Sequence, residues 1–189
     1  MFFLRKVNLD TEPLAIKMSG VRLGEKLLQV GADDPQLLAQ LALKIGLSGT
    51  TTVLVEDAKG AEHAKDAAAR AGALIDLKQT AFDVVAADPG AYDVVVIHST
   101  KGLMASLWRE GRADAVLNLL RDALRHGGRV IVIEAGPKSG VGAMLKPYKP
   151  DEEYEGAGGA VRALETAGFR PVRLLSERDG YRFVEGLKT

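Results

Sequence analysis

Residues 27–42 read "LLQVGADDPQLLAQLA", and the fold turns on them. A short apolar run meets Gly31, two acids and Pro35 follow, and a helix begins with Leu37, Leu38, Leu41, Ala42 and Ile45 on one face. A strand that passes through a glycine turn directly into a helix is where α/β proteins hold nucleotide-like cofactors. This turn keeps a single glycine and fills its next positions with Ala32, Asp33, Asp34 and Pro35. Asp33 or Asp34 suits the N-cap of the helix and Pro35 its first turn, and acids there complement the helix dipole. The turn therefore has two readings, a cofactor loop and a plain strand–turn–helix.

The same alternation continues outward. "KLLQV" (26–30) is the first strand, and its helix stops at Gly46 with Gly49 close behind. "TTVLVE" (51–56) is β-branched and predicts a second strand; "AEHAKDAAARAG" (61–72) predicts an alanine-rich helix ending at Gly72. "ALIDL" (73–77) is a weaker third strand. "YDVVVIH" (92–98) is continuously apolar, as in a parallel strand covered on both faces. Val116, Leu119, Leu120, Ala123 and Leu124 form a helical stripe, "RHGG" ends it, and "RVIVIE" (129–134) supplies another buried strand. This order predicts a parallel sheet with helices on both faces. After a helix at roughly 157–168, "FRPVRLLSE" and "YRFVEGLK" flank Asp179-Gly180, a hairpin signal that closes the sheet with an antiparallel pair. The one loose stretch, 136–159, reads as a loop over the sheet's carboxyl end.

Composition narrows the function. The 189 residues predict one domain, 1–189, with residues 1–20 as an N-terminal arm and lead-in helix. Lys+Arg and Asp+Glu number 25 each, so no global field draws the chain to nucleic acid. With no cysteine, thiolate zinc sites and cysteine nucleophiles are excluded, and the scattered His63, His98 and His126 predict no metal site. No apolar run reaches the ~20 residues of a membrane span. "MFFLRKVNLD" (1–10) lacks the form of a secretory signal, so the expected location is cytoplasmic. Its apolar start with two cations suits docking on the body, pairing with a second copy as a homo-oligomer, or touching a membrane surface.

From about residue 12 to its end the chain resembles the class I S-adenosylmethionine-dependent methyltransferases. "MSGVRLGEKLLQVG" (18–31) is similar to the family's lead-in helix, turn and first strand, and "AYDVVVIHST" (91–100) to its fourth strand. "LLRDALRHGGRVIVIE" (119–134) resembles its "LRPGGRLVI" signature, with His126 in place of proline, and "AGFRPVRLLSERDGYRFVEGLK" (167–188) its closing hairpin. The resemblance implies a doubly wound, mainly parallel Rossmann-like sheet of strand order 3-2-1-4-5-7-6, with S-adenosylmethionine across the carboxyl ends of the first strands. The family's first motif, an acid and three alternating glycines, falls on Gln29, Gly31, Asp33 and Pro35. Asp33 thus stands where the cofactor's own carboxylate is expected, and like charges repel. The implied cofactor-binding set is Gln29, Gly31, Ala32, Asp33, Glu56, Asp57, Phe82 and His98.

Within that set, Glu56 or Asp57 takes the ribose hydroxyls, because a carboxylate accepts two donors. The acid expected at the adenine is missing near Thr80-Ala81-Phe82, with Asp83 close by, and Phe82 offers a ring to the adenine or to the core. His98, in "HSTK" after the fourth strand, is the candidate general base; it otherwise simply ends a strand. Trp108 lines a pocket or covers the helix below it. Lys138, Lys146, Tyr148 and Lys149 of the loop are placed to close over an acidic or aromatic substrate. Three functions remain open: a small-molecule methyltransferase, a methyltransferase-fold protein without catalysis that serves as a binding or assembly module, and a nicotinamide-dependent enzyme. The last would need the glycine fingerprint even more, and the closing hairpin argues against it.

Overall fold

A computed structural model describes residues 13–84, 88–137 and 149–189. The N-terminal arm up to residue 12 and residues 138–148 of the 136–159 loop, including Lys138, Lys146 and Tyr148, lie outside the described residues. Among the described residues, no helix is long and apolar enough to cross a membrane.

In chain order the elements are α1 (Leu14–Met18), β1 (Lys26–Val30), α2 (Pro35–Ile45), β2 (Thr50–Val55), α3 (Ala58–Ala71), β3 (Asp76–Gln79), a 3-10 turn (Phe82–Val84) and β4 (Tyr92–Ser99). There follow α4 (Leu103–Arg109), α5 (Ala113–Ala123), β5 (Leu124–Ala135), α6 (Glu152–Gly156), α7 (Gly159–Thr166), β6 (Val172–Arg178) and β7 (Tyr181–Leu187). The seven strands form one sheet of order β3-β2-β1-β4-β5-β7-β6, parallel except for β7, which runs antiparallel to β5 and β6. Fold class and strand order are as the sequence reading has them.

Strand alternation splits the core in two. Leu27, Val94, Val96, Ile131 and Ile133 pack with α1 and α2 on one face. Leu28, Val30, Val95, Ile97, Val130 and Val132 pack with α4, α5 and α7 on the other. Most of β1, β4 and β5 is therefore buried on both sides, which is why these strands read as unbroken apolar runs. The hairpin turns through Asp179 (φ 56°) and Gly180 (φ 86°), the two positive angles a primed turn requires.

Several boundaries depart from expectation. β3 lies at 76–79 rather than 73–77, an edge strand with little burial to mark it. "RHGG" is not a helix end: β5 already begins at Leu124, and the glycines sit in an irregular pairing where the register with β4 shifts. The helix expected at roughly 157–168 is α7 at 159–166, entered through the left-handed Gly158 (φ 99°), and a further short helix, α6, occupies 152–156 within the stretch read as a loop. Residues 103–109, unassigned from the sequence, are helical.

Candidate functional site

Two cavities open along the carboxyl ends of the parallel strands, where open α/β sheets bind ligands. The first, about 290 Å³, lies over β1, β2 and the turn after β3; Gly31, Ala32, Asp33, Glu56, Asp57 and Phe82 are among its lining residues. Six of the eight residues expected to hold a cofactor are thus brought together. Lys59, His63 and Lys101 join them.

Gln29 and His98 are placed behind this wall instead. Both are fully buried on the α2 side of the sheet. The Gln29 amide donates to the Leu38 carbonyl at 3.0 Å, and its Oε1 lies 2.7 Å from His98 Nε2, so Nε2 carries the hydrogen. Burial pushes the His98 pKa down to about 4. A neutral ring with no exposed surface and its reachable nitrogen already donating does not meet a substrate. Its Nδ1 has no partner among the described residues. The structure gives His98 a place inside the sheet rather than a general-base position.

Each acid of the first cavity has a protein partner. Asp33 accepts from the Lys101 backbone N–H at 2.7 Å, which turns its carboxylate across to the loop after β4. Burial raises its pKa, and that hydrogen bond partly offsets the rise. Asp34 caps α2 through the Leu37 N–H at 3.0 Å, and Asp57 caps α3 through the Gly60 N–H at 2.8 Å. Glu56 follows β2 directly and accepts from the Phe82 N–H at 2.9 Å. Its carboxylate is also gripped by Arg112, which bonds Asp83 (3.0 Å) and Glu110 (3.0 Å) as well. The Arg112 hydrogen bond holds Glu56 below the usual carboxylate range. Phe82 is almost wholly buried in the core, as the plainer reading of a lone aromatic has it.

Gly31 is needed for packing. Its φ is +81°, and a Cβ there would stand 2.8 Å from Leu103 Cδ2 and 3.1 Å from the His98 carbonyl oxygen.

The second cavity, about 480 Å³, lies over β4 and β5 beneath α4 and α6. Ser99, Lys101, Arg109, Glu134, Lys149 and Tyr154 contribute to its walls. Ser99 and Glu134 are register partners on adjacent strands, both on the α4 side of the sheet. Glu134 is only 6 % exposed. Its Oε1 accepts from the Tyr154 hydroxyl at 3.0 Å, while Oε2 has no partner among the described residues. Burial pushes its pKa up to about 7, against the pull of the Tyr154 hydrogen bond. Trp108 packs on Tyr154 with ring centroids 6.2 Å apart and remains partly exposed.

Sequence reasoning passed over Glu134 and Arg112. Glu134, like Glu56, is an acid directly after an apolar run, "VIVIE" beside "TTVLVE". Arg112 has no sequence signal, because its partners lie up to 56 positions away. Among the described residues, no cluster of three or more His, Asp or Glu is placed to hold a metal ion.

Fold and cavities together define a class. Superposition finds the same architecture in an S-adenosylmethionine-dependent methyltransferase from Aquifex aeolicus, with TM-score 0.71, 15% identity, and 92% of this chain and 87% of that one covered. An S-adenosylmethionine-dependent O-methyltransferase from Thermotoga maritima gives TM-score 0.65 and 13% identity over 92% of this chain and 63% of that one. The [4+2]-cyclase SpnF gives 0.57 and 16% identity over 86% and 56%. The chain therefore spans under two thirds of the length of the last two. No protein-family model matches the sequence, and no curated protein matches it. The chain has the class I S-adenosylmethionine-dependent methyltransferase fold.

Proposed function

We propose that this protein is an S-adenosylmethionine-dependent methyltransferase acting on a small molecule in the cytoplasm. One observation supports the reading: the cavity lined by Gly31, Asp33, Glu56, Asp57 and Phe82 opens at the carboxyl ends of β1 and β2, where open α/β sheets take nucleotide-like ligands. The residues suit the group. Glu56 and Asp57 supply acceptor oxygens for ribose hydroxyls, and Lys59 supplies a cation for the methionine carboxylate. The volume of about 290 Å³ is at the lower end of ligand sites, roughly 300–1,000 Å³. When bound, the group supplies an electrophilic methyl on a sulfonium. The chain's own part is to hold the acceptor in line with it and to take a proton where the acceptor carries one. Balanced charge supports a small acceptor over nucleic acid.

A second reading has its own support. Glu56 is held by Arg112 and Asp33 by the Lys101 N–H, so both acids are spent on the protein itself. That arrangement suits a binding or assembly module without catalysis. Calorimetric titration with S-adenosylmethionine and S-adenosylhomocysteine separates the two: saturable heat is expected, and its absence at millimolar ligand sinks the enzyme reading.

A further inference from the structure

Glu134 stands out among the buried groups of this chain because its neighbourhood could neutralise it and does not. Arg182 is its register partner on β7, on the same side of the sheet. Yet Arg182 is taken by Glu155 and by Glu177 at 3.2 Å. Arg109 is paired with Asp151 at 3.6 Å. Tyr154 bonds one carboxylate oxygen, and the other has no partner among the described residues. An orphaned buried carboxylate oxygen is costly, and such a cost is borne where a ligand supplies the missing donor. At the same cavity, Lys101 and Lys149 make no ion pair among the described residues, although Lys101 feels the Asp33 charge. One end of the cavity thus lacks a hydrogen-bond donor, and the cavity also carries two unspent cations.

We propose that this second cavity is an acceptor site for a small hydroxylated carboxylic acid, with Glu134 taking the hydroxyl proton and Lys101 and Lys149 meeting the carboxylate. The proposal rests on the methyltransferase reading above. As the hydroxyl oxygen's electron pair forms the bond to the methyl carbon of a sulfonium donor, the carbon–sulfur bond breaks with its pair left on sulfur. The hydroxyl proton passes to Glu134 and from there to water. Tyr154 positions the carboxylate by holding Oε1. Glu155 and Arg182, packed against Glu134 from α6 and β7, act on it in opposite directions, with Glu155 raising its pKa and Arg182 lowering it.

The test uses 3-fluoro-4-hydroxybenzoate as probe, titrated into the full chain and followed by fluorine NMR. Saturable binding is expected, weakened about tenfold in Glu134→Gln, the loss of one charge-assisted hydrogen bond. The hydroxyl-free 3-fluorobenzoate should bind wild type and Glu134→Gln alike, and Lys149→Met should weaken both ligands. Tyr154→Phe is the second variant: it should weaken the hydroxylated probe selectively while keeping the ring that packs on Trp108. No saturable binding to wild type overturns the proposal, as does equal loss of both ligands in Glu134→Gln. A parallel titration with S-adenosylhomocysteine keeps the two readings apart. Heat from it without probe binding removes the acceptor site alone. Probe binding without such heat leaves the acid site and overturns methyl transfer there.

Discussion

The two cavities hold the same kind of group in opposite conditions. Around β1 to β3, Asp33, Asp34, Glu56 and Asp57 all accept from backbone N–H groups. Around β4 and β5, Glu134 keeps an oxygen with no donor among the described residues. The difference comes from where the acids sit on the chain. Asp34 and Asp57 precede helices, whose first N–H groups have no partner within the helix and wait for an acceptor. Glu134 is near the end of a strand whose own N–H groups are spent on the sheet. Glu56 also follows a strand, but the turn after β3 brings it the Phe82 N–H, whereas no such donor reaches the second Glu134 oxygen among the described residues.

Four variants bear on this contrast. Gly31→Ala strikes the scaffold side hardest, because a Cβ must be fitted at positive φ against Leu103 and the His98 carbonyl. A loss of about 3 kcal/mol, or roughly 6–12 °C in Tm by calorimetry, is expected. A neutral outcome would mean that the loop is soft.

Glu134→Gln tests the other side. The folded pKa is raised from 4.5 to about 7, so the folded state holds a proton that the unfolded chain releases. Wild-type stability is therefore full below about pH 4.5 and falls as pH rises through 7. The glutamine variant should lack that fall and be more stable by about 2 kcal/mol above pH 7, read from denaturant melts across pH. Parallel pH curves for the two proteins would refute the burial argument.

Asp33→Ala removes the bond to the Lys101 N–H and should cost about 1 kcal/mol. It should also tighten S-adenosylhomocysteine, because a carboxylate leaves the cavity. Arg112→Met has the smallest expected effect on stability, since the cluster is partly solvated. Glu56 has its pKa depressed by Arg112, so the arginine's contribution is present at neutral pH and fades in acid as Glu56 protonates. The variant should approach wild type only as pH falls through the lowered pKa values of Glu56 and Asp83, and bind the nucleoside ligand more tightly at pH 7 if Glu56 is the ribose acid.

The sequence was most legible where burial is two-sided or turn chemistry is strict. β1, β4 and the hairpin at Asp179-Gly180 show in composition alone, since apolar runs and positive φ leave few alternatives. β3 was misplaced because an edge strand has little burial to imprint a pattern. "RHGG" misled because glycines that stop a helix also serve an irregular strand start. At the site, positions in local loops were found and long-range pairings were not. The Gln29–His98 bond spans 69 positions and the Glu56–Arg112 bond 56, and nothing in either segment announces the other.

Lys101 lines both cavities. Its backbone N–H is tied to Asp33 of the first loop, and Leu103, two residues on, packs where Gly31 leaves room. The loops after β1 and β4 are therefore one mechanical piece with a ligand space on each side. Any molecule that shifts this piece from one side changes the fit on the other, and such coupling is reciprocal. Each occupant should therefore change the affinity for the other by the same factor, through the position of Lys101.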